Sequence, residues 1–277
     1  YCIEGALLGL FMISACLSVA AIEHERSPIR ALVSSAFKRR AIIGALMGAT
    51  AVALIYSPWG QRSGAHMNPA TTLAFWFLGK VDPVDSAFYC LAQFIGGALG
   101  VALCVAAIPQ VIRRPPVSCV ETVPADSSRR GLAIAFAAES AMSFVLFLVV
   151  LAFANHLPLA PFTGLAAGVL VALYITFEAP LSGMSINPAR TFASAINLGR
   201  FPALWLYLTA PALGMLAAAL TYAEIEGRAS VYCAKLDHSG DFPCIFHCRI
   251  HELRTSVKPA PTSGIQQLEP PSSTTAD

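Results

Sequence analysis

An all-α integral membrane fold, with six spans and two half-helices in an inverted repeat, follows from three features of the chain. The 277 residues are 56% hydrophobic and only 12% charged, with a mean hydropathy of +0.64. Six long apolar stretches run along them. The sequence Asn-Pro-Ala occurs twice, at Asn68-Pro69-Ala70 and Asn187-Pro188-Ala189, 119 residues apart. Such a composition excludes an ordinary soluble domain. A net charge of +2 spread without a basic stripe gives no reason to expect a nucleic-acid partner.

The spans read as Ile3 to Ala21, Ala41 to Pro58, Ala87 to Ile108, Leu132 to Phe153, Phe162 to Ala179 and Ala203 to Ala223. Most reach the ~20 apolar residues that a bilayer crossing needs. Each Asn-Pro-Ala sits in a ten-residue frame, Ser63 to Thr72 and Ser182 to Thr191, and the frames agree at six positions. Asn is a favoured N-cap, and Pro fits the first helical turn, where its missing N–H has no partner to lose. Both segments end on a C-cap signal, Leu78-Gly79-Lys80 and Leu198-Gly199-Arg200. About a dozen residues at ~1.5 Å each cross only half of a ~30 Å hydrocarbon core.

Three spans per half is an odd number, so the second half starts on the opposite side of the membrane and the repeat is inverted. The half-helices then meet N-terminus to N-terminus at the midplane, where their positive dipole ends disfavour cations and protons. The expected divisions are a first half-repeat over 1–112, a connecting loop over 113–130 and a second half-repeat over 131–223. A Cys- and His-bearing tail over 224–257 and a disordered, Pro/Ser/Thr-rich C-terminus over 258–277 complete the chain.

The paired boxes resemble the major intrinsic protein family, the aquaporins and glycerol facilitators, over Glu4 to about Tyr222. The resemblance implies a homotetramer with one pore per protomer, in lipid, with both termini cytoplasmic in the cell membrane. It also implies that the Asn68 and Asn187 amides donate hydrogen bonds to passing solute, and that Arg190, opposite Thr71 in the first frame, stands at the outer constriction. Counting back from the boxes assigns the rest of that constriction to Gly48, Ile175 and Met184, with Met47 next in register. A glycine at position 48 implies a wide, mostly apolar filter passing water and larger neutral solutes such as glycerol, urea, ammonia or hydrogen peroxide. A strict water channel and a weakly conducting structural protein of the same fold are the alternatives.

Ionisable groups inside spans are costly. Glu4 and Glu139 occupy repeat-equivalent places near the starts of the first and fourth spans. In the family such glutamates accept hydrogen bonds from the non-helical backbone ahead of each half-helix. His66, two residues before Asn68, falls near the inner mouth as a structural histidine. Gly96, Gly97 and Gly100 form a small-residue face for close helix packing, within a protomer or between protomers. Eleven of the eighteen basic residues would lie outside if both termini are cytoplasmic, against the positive-inside trend. The expectation is that orienting charge precedes Tyr1.

In the tail, Cys233, His238, Cys244, His247, Cys248 and His251 offer thiolate and imidazole ligands, but their spacing matches no standard zinc finger. In a cytoplasmic tail disulfides are not expected, so they read as reduced cysteines in an ordered flap, with a soft-metal site as the alternative and no metal or cofactor assigned. Nothing elsewhere gathers a nucleophile and a base, which argues against an enzyme. A coupled transporter would need acids free to change state, whereas both buried glutamates are taken up by the scaffold.

Overall fold

The computed structural model describes residues 1–256, so the expectation of disorder over 258–277 lies outside the described residues. Among the described residues, six helices are long and apolar enough to cross a membrane. They are α1 (Cys2–Glu23), α2 (Ala36–Tyr56), α4 (Pro83–Ala107), α5 (Arg129–Ala154), α6 (Thr163–Phe177) and α8 (Leu204–Glu226), and a short 3-10 turn extends α6 back to Ala160. The half-helices are α3 (Pro69–Phe77) and α7 (Pro188–Leu198). Their 9 and 11 residues are roughly 14–17 Å long at 1.5 Å per residue, about half of a bilayer core.

Pairing obeys the repeat: α1 lies along α4 as α5 lies along α8, α2 crosses α6, and each half-helix packs chiefly on the third span of the other half. Small residues set these distances. A Cβ at Gly96 would stand 2.0 Å from the Gly5 carbonyl oxygen, and one at Gly100 2.4 Å from that of Gly9. The small-residue face of Gly96, Gly97 and Gly100 is therefore consumed inside the protomer, where backbones approach without side chains between them. The outer faces of the spans carry exposed Leu10, Leu17, Leu91, Leu99 and Leu103, as a lipid-facing surface requires.

Each half-helix is approached through a short helix, Pro58–Ser63 or Ala179–Ser182. Gly64 at φ 97° and Gly183 at φ 86° end these, in left-handed backbone that only glycine takes at little cost. The chain then passes through an irregular loop to Asn68 or Asn187, whose own backbone is extended. After α8 it turns through Arg228–Ser230 into an irregular strap over 231–249 and a last helix, Ile250–Ser256.

Candidate functional site

Behind each box the loop is bent by two non-glycine residues with positive φ, Ala65 and Met67 in the first and Met184 and Ile186 in the second. Such backbone costs of order 1–3 kcal/mol per residue and persists only where its surroundings over-determine it. The surroundings here are the two glutamates. Glu4 accepts from the hydroxyl of Ser63 (2.6 Å), the backbone N–H groups of His66 (3.1 Å) and Met67 (2.6 Å), and the amide of Gln93 (2.9 Å). Glu139 accepts from Ser182 (2.6 Å) and the N–H groups of Ser185 (2.8 Å) and Ile186 (2.6 Å). Tyr89 and Tyr207 each donate to the carbonyl of the frame's serine, Ser63 and Ser182. Sequence reasoning found the glutamates but missed Gln93, Tyr89 and Tyr207. The signal for the tyrosines was their 118-residue separation, nearly the repeat itself.

The two boxes meet. Asn68 Oδ1 accepts from the N–H of Ala70 (2.9 Å), and Asn187 Oδ1 from those of Ala189 (3.0 Å) and Arg190 (3.3 Å), so each asparagine caps its own half-helix. Their Nδ2 groups cross over: Asn68 donates to the carbonyl of Ile186 (2.8 Å) and Asn187 to that of Met67 (2.7 Å). Each Nδ2 keeps a second hydrogen. Both asparagines line a cavity of about 120 Å³ that also touches Met47, Ile175, Met184 and Arg190. One water needs on the order of 10–15 Å³ of such volume, so the cavity holds several. Arg190 Nη1 is buried with no protein acceptor and is left to donate into this space. Thr71, its counterpart in the first frame, turns its hydroxyl to Met215 Sδ at 3.3 Å.

Gly48 is a correction. It does not line the cavity; its Cβ position faces the Gly168 carbonyl oxygen at 2.5 Å, while Gly168 faces that of Gly48 at 2.7 Å. It is a helix-crossing residue at the centre of the α2–α6 contact, and Met47 takes the wall position expected of it. The cause is one extra residue in the first half. The spans superpose at an offset of 120 (Gly48 with Gly168, Ile55 with Ile175) but the frames at 119, so counting back from Asn68 lands one residue late. The wall from α2 is Met47, Ala51 and Ile55 and that from α6 is Ala167, Val171 and Ile175, both at helical spacing. With Met47 present, the constriction is bulkier than a glycine implies.

His66 is buried and fully engaged: Nδ1 meets Thr72 Oγ1 at 3.0 Å, Nε2 meets the carbonyl of Ala234 at 2.9 Å, and its ring stacks between Phe75 and Phe246. The tail therefore reaches His66, and Leu236 from it lines the cavity. Of the six tail residues with ligating atoms, Cys233, His238, Cys244 and Cys248 come together, with those atoms all within 4.8 Å of one another. His247 instead meets Asp82 at 3.2 Å, and His251 lies outside the group. Cys233 and Cys244 lie within hydrogen-bond reach at 3.3 Å, and this contact holds the Cys244 thiol well below the ordinary thiol range and Cys233 above it.

Sequence comparison agrees with this geometry. The family model described as Major intrinsic protein matches residues 4–222. The chain belongs to the major intrinsic protein family. Aquaporin NIP1-3 of Oryza sativa subsp. japonica is 36% identical over 176 residues, covering 63% of this chain and 58% of the relative. Aquaporin NIP2-3 of Zea mays is 34% identical over 190 residues, covering 69% of this chain and 60% of the relative. The chain thus spans a little under two thirds of these relatives' length. A solved structure, the aquaglyceroporin from Plasmodium falciparum, shares the fold with a TM-score of 0.64 at 20% identity, covering 82% of this chain and 97% of that one. The chain is an integral, multi-pass membrane protein of this family.

Proposed function

We propose that the protein is a passive channel for water and small uncharged solutes that rejects protons and ions. The observation that carries this is the lined cavity in which two crossed asparagine amides and the acceptor-less Nη1 of Arg190 are the donors, on a wall otherwise mostly apolar. A solute with lone pairs gains hydrogen bonds at the midplane and at Arg190. A cation meets two positive helix ends and a guanidinium. The proposed filter is Met47, Ile175, Met184 and Arg190, with His66 at the inner mouth. The flexible Met47 favours water together with slim neutral solutes over bulky polyols. The relatives' names, aquaporins and an aquaglyceroporin, support the same reading. The cell membrane is the proposed location, and a homotetramer in lipid the proposed assembly, which native mass spectrometry would check.

The test is stopped-flow light scattering on proteoliposomes carrying the wild type or Leu236→Ala, which opens the inner mouth. Shrinkage under an impermeant osmolyte faster than in protein-free vesicles, with reswelling under urea or glycerol, is expected. Rates equal to protein-free vesicles for both proteins would overturn the channel reading.

A further inference from the structure

The strap over 231–249 has no regular secondary structure, yet it buries Val231, Cys233, Ala234, Lys235, Leu236 and Asp237 almost completely. Its four gathered side chains supply three thiols and one imidazole, the donor set of a closed Cys3His zinc site. Zn–S bonds of ~2.3 Å and a Zn–N bond of ~2.0–2.1 Å give a tetrahedron with edges of roughly 3.6–3.8 Å. The Cys248 Sγ to His238 Nε2 distance is 3.6 Å and the Cys233 Sγ to Cys244 Sγ distance 3.3 Å, so a small outward shift of the sulfurs closes the site. The backbone N–H of Lys235 already donates to Cys233 Sγ at 3.4 Å, an outer-shell donor for a metal-bound sulfur.

What this site holds in place is specific. Leu236 lines the pore cavity, and it also lines a second cavity of about 230 Å³ whose wall includes His238. Leu236 thus stands between the pore and an inner vestibule, two residues from one candidate ligand and three from another. Its N–H donates to the Gly64 carbonyl at 3.3 Å, and Ala234 is held by His66.

We propose that Cys233, His238, Cys244 and Cys248 bind one Zn²⁺, and that this ion clamps the strap so that Leu236 closes the inner mouth. Binding releases the thiol protons to solvent and leaves a site of net charge −1 from three thiolates and the dication. Only the gating half rests on the channel reading; the metal site stands without it. An apolar side chain held across a narrow pore stops flux by excluding water from the constriction.

The experiment uses the full chain, grown with zinc and purified under reducing conditions without chelator. Elemental analysis by plasma mass spectrometry should find about one zinc per protomer, and Cys244→Ser/Cys248→Ser should lose it. No stoichiometric metal, a different metal in its place, or zinc retained in the double variant would overturn the site. So would a Cys233–Cys244 disulfide found in the reduced preparation. If the double variant fails to fold, wild type stripped by a chelator and refilled with Zn²⁺ alone serves instead, with cleavage of the strap by a protease as a second readout. Stripping should raise water flux in proteoliposomes at least about twofold, zinc should reverse it, and Leu236→Ala should match the stripped rate with zinc still bound. Stoichiometric zinc with equal flux in the bound, stripped and Leu236→Ala forms would overturn the gate. Absence of flux in all three with zinc present would instead count against the channel reading.

Discussion

The two halves of the molecule solve one backbone problem with the same parts and then diverge around the central cavity. Each bends its loop through two strained residues, satisfies the bend with a glutamate, ties the serine carbonyl with a tyrosine and caps a half-helix with asparagine. At the mouths they part. The second half sets a guanidinium, Arg190, on the cavity where the first has Thr71, and Ser185, on Thr191 at 2.5 Å, where the first has His66. Behind the loops Gln93 answers Glu4, whereas the matching position is Pro211, which brings no donor. Duplication supplied the scaffold, and the breaks in symmetry supply the chemistry.

Removing the shared parts tests the scaffold most severely. Glu4→Gln and Glu139→Gln each set an amide N–H₂ against N–H donors in a buried network, and each buried donor left unsatisfied costs about 1–3 kcal/mol. Both should fall sharply in thermal midpoint in detergent, by similar amounts. A variant that kept the wild-type midpoint would show that its glutamate does not hold the loop.

The next effect separates two adjacent residues. Gly48→Ala drives a methyl against the Gly168 carbonyl, an overpacking cost of about 1–3 kcal/mol. It should lower the thermal midpoint and leave the ratio of glycerol to water flux unchanged. Met47→Ala should do the reverse, widening the pore and raising glycerol flux. If Gly48→Ala changed selectivity and Met47→Ala did not, the corrected register would be wrong.

Swapping the charge sharpens the comparison of the mouths. Arg190→Val should admit protons or small cations about tenfold faster, equivalent to ~1.4 kcal/mol in the barrier, read with a pH dye inside vesicles. The smallest effect is expected from Ser185→Ala, which gives up hydrogen bonds worth about 1 kcal/mol. A loss larger than that of His66→Ala would show that the hydroxyl, not the ring, anchors its loop more firmly.

Much of this was legible in the sequence because the repeat is written in residues with narrow roles. Asn before Pro marks a capped start, glycine ends the approach helix, and a lone Glu in an apolar span demands partners. The positions read wrongly or missed depend on what the sequence shows only in three dimensions. The extra residue between Ile55 and Ser63 leaves both flanking patterns intact, so Gly48 counted correctly from the box and still faced the wrong way. The strap's ligating residues sit at spacings of five, six and four, which say nothing until the chain folds back on His66.

The crossed asparagine amides bear on how the protein is made. Asn68 has its Nδ2 acceptor at Ile186, so while the first half is leaving the ribosome that donor has no partner in its own half. The loop can be braced early by Glu4, Ser63 and Gln93, but the midplane closes only when residues well past 180 have entered the bilayer. Assembly therefore ends at the centre rather than at the rim, and a chain truncated before the second box is left with a half-helix whose capping residue has no mate.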